Sequence, residues 1–305
     1  MKDLSFSIGE GEIVGLLGVN GAGKSTTMRM LAGYLAPTSG SIEMDGFDLA
    51  TYPRKVKGRI GYLPETPPLY LDMTVREQLR FVCHLRSIPA REVQRECERV
   101  ASLLNISHVL GRVNGHLSKG YRQRVGFAVA LAGSPRLVIL DEPTSGLDPS
   151  QMIDIRTLIQ ELSTQTAVLI SSHILSEIEG MCGRLLILAD GVLVADGTQE
   201  DILAAHQQPS RLEFSVAGDS SLAQEIVRSL LPVGTRWTAE ASSNGTDFSI
   251  VQGCEPMKPE QVFAAFAPHA TKLLLTRLTQ AQPSLEELFM DITRQAYECR
   301  EEEGA

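Results

Sequence analysis

The chain has 305 residues, 43 % of them hydrophobic, with a formal net charge of −9 at pH 7. That length accommodates two ordinary domains, the apolar content excludes wholesale disorder, and the acidic balance argues against a general nucleic-acid binder, which needs a basic footprint. No run reaches about 18 uninterrupted apolar residues, so no transmembrane helix is expected, and Met1 to Glu10 carries charges and a glycine where a secretory signal would be apolar.

Glu12 to Gly18 is a short apolar run ending in glycine and predicts a buried strand. Gly18 to Ser25 follows as a loop and Thr26 to Leu35 as a helix, the context that a phosphate-binding loop requires. Ser41 to Gly46 reads as a strand with a tight turn, and Arg59 to Leu63 as a strand closed by Pro64. From Thr74 to about Ala132 the pattern is mainly helical. It opens on Thr74-Val75-Arg76-Glu77, a capping box in which threonine and glutamate satisfy free backbone donors. Leu137 to Leu140 and Ala167 to Ser171 are apolar strands, joined by a crossover helix over Ser150 to Ser163. Arg184 to Asp196 reads as a hairpin turning at Asp190-Gly191.

A seam falls near Ala205 to Arg211, where Gln, Pro and Ser cluster. Beyond it strands are expected at Leu212–Val216, Arg236–Ala241, Asp247–Val251 and Lys272–Leu278, with a turn at Asn244-Gly245. Helices are expected at Leu222–Leu231, Pro259–Phe266 and Ser284–Tyr297. The order β-α-β-β-α-β is that of a ferredoxin-like module, and Glu301 to Glu303 reads as an acidic tail. The expected domains are therefore 1–205, with a helical subdomain over about 72–132, and 211–305. The five cysteines, Cys83, Cys97, Cys182, Cys254 and Cys299, are scattered without C-x-x-C spacing, so free thiols are expected, with no metal site or disulfide framework.

Gly18-Val19-Asn20-Gly21-Ala22-Gly23-Lys24-Ser25 fits G-x-x-x-x-G-K-[ST]. Glycines let backbone N–H groups close around phosphate oxygens, and the following helix turns its positive end toward the same anion. Lys24 is expected to reach the β and γ phosphates and Ser25 to ligate Mg²⁺. Asn20, Gly21, Ala22, Gly23 and Thr26 complete the expected nucleotide contacts. Leu137 to Pro143 delivers Asp141 and Glu142 at the C-terminal end of an apolar strand, where ligands sit in α/β sheets. Asp141 is expected to hold Mg²⁺ through water and Glu142 to polarise an attacking water. By itself this pair is better read as a solvated turn.

Leu117-Ser118-Lys119-Gly120-Tyr121-Arg122-Gln123-Arg124 completes a set that resembles the ATP-binding-cassette (ABC) ATPases, whose signature is usually written L-S-G-G-Q. The phosphate loop, this signature, Leu140-Asp141-Glu142-Pro143, Ser145-Gly146-Leu147-Asp148 and His173 stand in the family's order. The resemblance implies an α/β P-loop NTPase cassette with a helical subdomain, binding ATP and Mg²⁺. It implies a homodimer or a paired ABC subunit, in which Ser118 and Gly120 contact the nucleotide of the partner subunit. His173 would hold the γ-phosphate, and Asp148 would lie at the dimer contact or simply cap the helix after Pro149. Lys119 replaces a signature glycine, Tyr121 the glutamine, and Glu65 the Q-loop glutamine that approaches the metal. These variants, and Pro283 to Phe289, resemble the single-cassette ATPases that drive ABC-2-type exporters, including gliding-motility-like members. The resemblance implies an integral membrane ABC-2-type permease as partner, contacted through Thr66 to Pro89, a cytoplasmic location beneath it, and no nucleic acid.

Family members begin upstream with a strand whose aromatic residue stacks on adenine. Met1 to Phe6 starts inside the second strand of that layout, so either the natural start lies upstream, which is the favoured expectation, or ATP binds weakly, or another aromatic residue substitutes. Two other readings stand at this point: a soluble ABC ATPase of translation or DNA repair, against which speak the single cassette and the lack of coiled-coil or basic extensions, and a module that no longer hydrolyses ATP, against which speak Lys24, Ser25, Asp141, Glu142 and His173.

Overall fold

Val14, Leu16 and Leu17 are fully buried because the strand that carries them, β1 (Ile13–Leu17), has neighbours on both sides. The computed structural model describes residues 1–164, 166–205, 211–232, 235–242, 245–251, 257–281, 285–291 and 293–294. After β1 come α1 (Lys24–Leu31), a hairpin of β2 (Glu43–Met44) and β3 (Phe47–Asp48), α2 (Pro53–Lys57) and β4 (Ile60–Leu63). Three helices, α3 (Val75–Leu85), α4 (Ala90–Leu103) and α5 (Lys119–Leu131), then precede β5 (Leu137–Asp141). Next come α6 (Pro149–Ser163), β6 (Ala167–Ser172), α7 (Leu175–Ile178), β7 (Arg184–Ala189), β8 (Val192–Gly197) and α8 (Gln199–Ala205). The remainder holds β9 (Arg211–Gly218), α9 (Ser220–Leu230), β10 (Trp237–Ser242), β11 (Gly245–Val251), α10 (Pro259–Phe266) and β12 (Leu273–Ala281), and residues 285–291 are helical again.

The described residues divide into two compact units, one of Met1–Gln199 with residues 291 and 293–294, the other within Glu200–Met290. In the first, six strands form one sheet in the order β4-β5-β6-β1-β7-β8. All neighbours are parallel except β7 and β8. Strands covered on both faces read as continuous apolar runs, and every residue of β6 is buried. The second unit is a four-stranded antiparallel sheet in the order β10-β11-β9-β12. Phe214 stacks on Phe248 at a centroid distance of 5.0 Å in a core shared with α9 and α10 through Val227, Val262 and Phe266. The expected ferredoxin-like order of elements is present.

Helix α1 departs from the expected Thr26 to Leu35. It begins at Lys24, directly after Gly23 at φ 104°, and ends at Leu31, where Gly33 turns left-handed at φ 74°. The N–H groups of Tyr34 and Leu35 then donate to the Arg29 carbonyl and close the helix. Met1 to Phe6 is not a strand. Leu4, Phe6 and Ile8 pack on the core in strand-like alternation, but among the described residues the backbone of this segment makes one bond, from Lys2 N–H to Gly191 O at 2.9 Å, which is no ladder. Asn244 of the expected turn, residues 206–210 of the seam, Pro283, Ser284, Cys254, Cys299, residues 295–297 of the last helix and the acidic tail lie outside the described residues.

Two devices fix the helical subdomain. The capping box is complete: the Thr74 hydroxyl accepts from Glu77 N–H at 3.2 Å, and the Glu77 carboxylate accepts from Thr74 N–H at 2.8 Å. Second, α5 lies so close to β4 that a Cβ at Gly61 would collide with the Ala130 carbonyl oxygen. The same end of α5 is gripped by two guanidinium groups, Arg86 donating to Ala130 O at 3.2 Å and Arg99 to Leu131 O at 3.1 Å. They satisfy carbonyls left free at a helix C-terminus.

Gly61→Ala is expected to destabilise the first unit by about 1–3 kcal/mol, the cost of overpacking against backbone that cannot rotate away. Thr74→Ala is expected to cost about 1 kcal/mol. Urea denaturation midpoints check both, and the glycine substitution should have the larger effect.

Candidate active site

In a parallel sheet every strand ends at the same edge, and ligands gather there. Because β6 lies between β5 and β1, three loops meet at this edge. The register pairs Asp141 with Ser171 and Leu17 with Ser172. The glycine loop after β1, the two acids ending β5 and the histidine after β6 are therefore neighbours.

The loop from Gly18 to Gly23 is shaped for an anion. Gly21 and Gly23 hold φ of 87° and 104°, backbone that side-chain-bearing residues rarely adopt. Ser25 and Thr26, in the first turn of α1, are exposed, whereas Lys24 is buried at 5 % exposure. The Lys24 ammonium donates to Gly18 O at 2.7 Å and lies 3.7 Å from Glu142 Oε1. Burial pushes its pKa below the ordinary lysine value, against the opposing pull of Glu142 and Asp141.

Asp141 is 3 % exposed. It accepts from the Ser171 hydroxyl at 2.6 Å and the Ser25 hydroxyl at 3.3 Å. Ser171 in turn accepts from Glu142 N–H at 3.0 Å, so one serine orients both acids. Glu142 has φ 47°, a left-handed conformation that costs a non-glycine residue about 1–3 kcal/mol and persists only where its surroundings enforce it. Its side chain is thereby placed between Lys24 and His173, whose Nδ1 faces Glu142 Oε2 at 2.8 Å. Opposite a carboxylate, that nitrogen carries the proton and donates.

Lys24, Ser25, Asp141, Glu142 and His173 thus form one connected group. The candidate metal ligands Ser25 and Asp141 bring two oxygens together, and this suits Mg²⁺, which takes few protein ligands and completes its shell with substrate phosphates and water. Glu65 lies at the same edge, beyond the end of β4, but is exposed and bonded to neither. Ser118 and Gly120 stand apart: among the described residues no hydrogen bond or ion pair joins them to the phosphate loop. Ser118 caps α5, accepting from Tyr121 N–H at 3.4 Å. With Gly120, Tyr121, Arg124, Gln151 and Asp154 it lines a separate polar cleft of about 260 Å³. The Tyr121 hydroxyl hydrogen-bonds His108 Nε2 at 3.1 Å, and the Lys119 ammonium covers Gly146. Asp148 caps α6, accepting from Gln151 N–H at 2.9 Å.

Two residues of the site escaped sequence reasoning. Ser171 sits at the end of a strand, and its hint was a hydroxyl where the apolar run breaks. Gln123, 5 % exposed, donates to Pro143 O at 3.0 Å, tying the signature helix to the acidic loop. Nothing in its spacing marked it.

Residues 1–145 match the sequence profile of the ABC transporter family. The chain is 38 % identical over 205 residues to the ABC transporter ATP-binding protein NatA of Bacillus subtilis (strain 168), covering 66 % of this chain and 83 % of that protein. It is 30 % identical over 296 residues to the linearmycin resistance ATP-binding protein LnrL of the same organism, covering 96 % and 93 %. A solved ATP-binding subunit of an ABC transporter superposes with a TM-score of 0.62 at 34 % identity, covering 67 % of this chain and 85 % of that one. The chain belongs to the ABC transporter family as an ATP-binding subunit, an ATPase that energises transport.

Lys24→Met tests the electrostatics. Because the folded-state pKa of Lys24 is depressed, the unfolded chain binds more protons between that value and 10.5, so stability rises with pH through this window. The substitution should flatten that rise and leave the nucleotide-free chain at least as stable at neutral pH, while weakening ATP binding by about tenfold or more. Thermal melts across pH and ATP titration measure the two effects.

Proposed function

We propose that the chain is the ATP-hydrolysing subunit of an ABC-2-type exporter, working as a dimer beneath membrane permease subunits. The observation that carries the dimer is the separation of the two motifs: the phosphate loop, the acids and His173 converge at one edge, while Ser118 and Gly120 open a different cleft. A nucleotide enclosed by both needs the second half from a partner subunit. In this reading Gly18, Asn20, Gly21, Ala22, Gly23 and Thr26 wrap the phosphates, and Lys24 turns from the Gly18 carbonyl to the β and γ phosphates. Ser25, with Asp141 and Glu65 through water, would hold Mg²⁺, which would supply charge neutralisation on the phosphate oxygens. Glu142 takes the proton of the attacking water, and His173 orients that carboxylate and meets the γ-phosphate. Ser118 and the Gly120 amide, at the positive end of α5, take the γ-phosphate of the nucleotide held by the partner.

Export is supported by the Lys119, Tyr121 and Glu65 variants and by the similarity to LnrL, which extends over both units. ATP-binding subunits of this family work with membrane permeases, and among the described residues no helix is long and apolar enough to cross a membrane. The permease is expected on Thr66 to Pro89, where Tyr70, Leu71, Phe81 and Leu85 are exposed and the Tyr70 and Phe81 rings meet edge to face. In this reading the cassette, taken as residues 1–205, serves ATP, and the ferredoxin-like module from about 211 on has an accessory role.

Glu142→Gln, measured for mass in solution with and without Mg-ATP, should shift from monomer to dimer with nucleotide, because hydrolysis slows while both halves of the site remain. A constant mass would count against the composite site. Leu71→Glu with Leu85→Glu should abolish co-purification with the permease and leave ATP affinity within about twofold, since the exposed patch lies outside the nucleotide contacts.

A further inference from the structure

Glu142 holds a strained backbone, and His173 stands on an exposed loop. Neither is a position that a chain keeps unaided. One carboxylate outside the expected site touches the supports of both. Glu177 Oε2 accepts from the Thr144 hydroxyl at 2.8 Å and the Ser172 hydroxyl at 3.0 Å. Thr144 lies just beyond Glu142 and Pro143, and Ser172 immediately precedes His173. Both hydroxyl-bearing residues are buried, at 4 % and 2 % exposure. Ser172 also accepts from Ile174 N–H at 3.0 Å, so its hydroxyl braces the backbone on the far side of His173 as well.

Glu177 itself is firmly seated. It lies on α7 between Leu175 and Ile178, at 5 % and 0 % exposure. Ile178 packs so closely on β1 that a Cβ at Gly15 would come within 2.8 Å of it. The Arg156 guanidinium fastens the same turn from α6, donating to Ser176 O at 2.7 Å.

We infer that Glu177 is a positioning residue for hydrolysis, a single carboxylate that locks the loop of Glu142 to the loop of His173 and so keeps their 2.8 Å contact aligned. This rests on the proposed roles of Glu142 and His173. Hydrogen bonds to an ionised carboxylate are stronger than neutral ones, and a small misplacement of catalytic groups costs rate steeply while binding contacts elsewhere persist. The nucleotide contacts of the glycine loop and α1 do not pass through Glu177, so the effect falls on kcat and leaves KM in place.

The experiment compares Glu177→Ala, Glu177→Asp and Glu177→Gln in the full chain. It measures ATP dissociation constant, steady-state hydrolysis, and hydrogen exchange of the amides in segments 142–147 and 172–176. Alanine removes the acceptor and aspartate keeps the charge but falls short. Both should lower kcat by about ten- to a hundredfold with KM within about twofold, and both should speed exchange in the two segments together. Glutamine retains an oxygen of the same reach and should recover kcat to within about threefold. The inference is overturned if the alanine variant keeps its kcat, if aspartate rescues and glutamine does not, or if only one segment exchanges faster. A wild-type chain that fails to bind or hydrolyse ATP would instead sink the proposed function, and the exchange pattern would still decide whether Glu177 couples the two loops.

Discussion

The placement of β6 between β5 and β1 is the constraint from which the site follows. With all three strands parallel, their C-terminal ends share one edge, and the register sets Ser171 beside Asp141 and Ser172 beside Leu17. A phosphate loop, a pair of acids and a histidine, separated by well over a hundred residues of sequence, become neighbours through backbone pairing alone. The hydrophobic effect enforces that pairing. β6 is buried along its whole length, and Ile139, Leu169 and Val14 lie in one apolar cluster, so a shifted register would expose much of this surface or bury its polar ends.

On this frame sits a group whose stability cost is inherent. Lys24 is withdrawn from water and leans on a backbone carbonyl; Glu142 holds a left-handed backbone; Asp141 is buried and depends on two hydroxyls. Pairing inside a protein only partly offsets the desolvation of such charges. The proposed function explains the arrangement by what enters it. A polyphosphate carries the negative charge that a buried ammonium, a helix N-terminus and a ring of loop amides lack. The protein holds the complement to that charge ready, which is the condition for electrostatic catalysis.

The strands and helices of the first unit were legible because their signals are local. The apolar runs Val14–Leu17, Val138–Leu140 and Val168–Ile170 can only be buried, and Thr74 with Glu77 marks a helix start by chemistry that needs no partner. The reading failed where tertiary context decided. Thr26 to Leu35 carries helical composition, yet Gly23 and Gly33 set the limits of α1. Met1 to Phe6 has the alternation of a strand and lacks the paired neighbour that makes one. At the site, the motif residues declared themselves by spacing, while Ser171, Gln123 and Glu177 did not. Their contribution is to hold other residues in place, and that depends on which side chains face them across loops that adjoin only after folding.

Helix α5 is anchored at one end and carries the signature residues at the other. Arg86 and Arg99 hold its C-terminal carbonyls where the missing side chain of Gly61 lets it lie against β4, while Ser118 and Gly120 stand at its start. Thirteen residues separate the ends, about 20 Å at 1.5 Å per residue. Taken as a rigid rod pivoting on its contact with β4, the helix would carry Ser118 through roughly 2 Å for a tilt of about 5°, more than the tolerance of a hydrogen bond. In the proposed dimer, a small tilt of α5 about its contact with β4 would decide whether Ser118 reaches a phosphate held by the partner subunit.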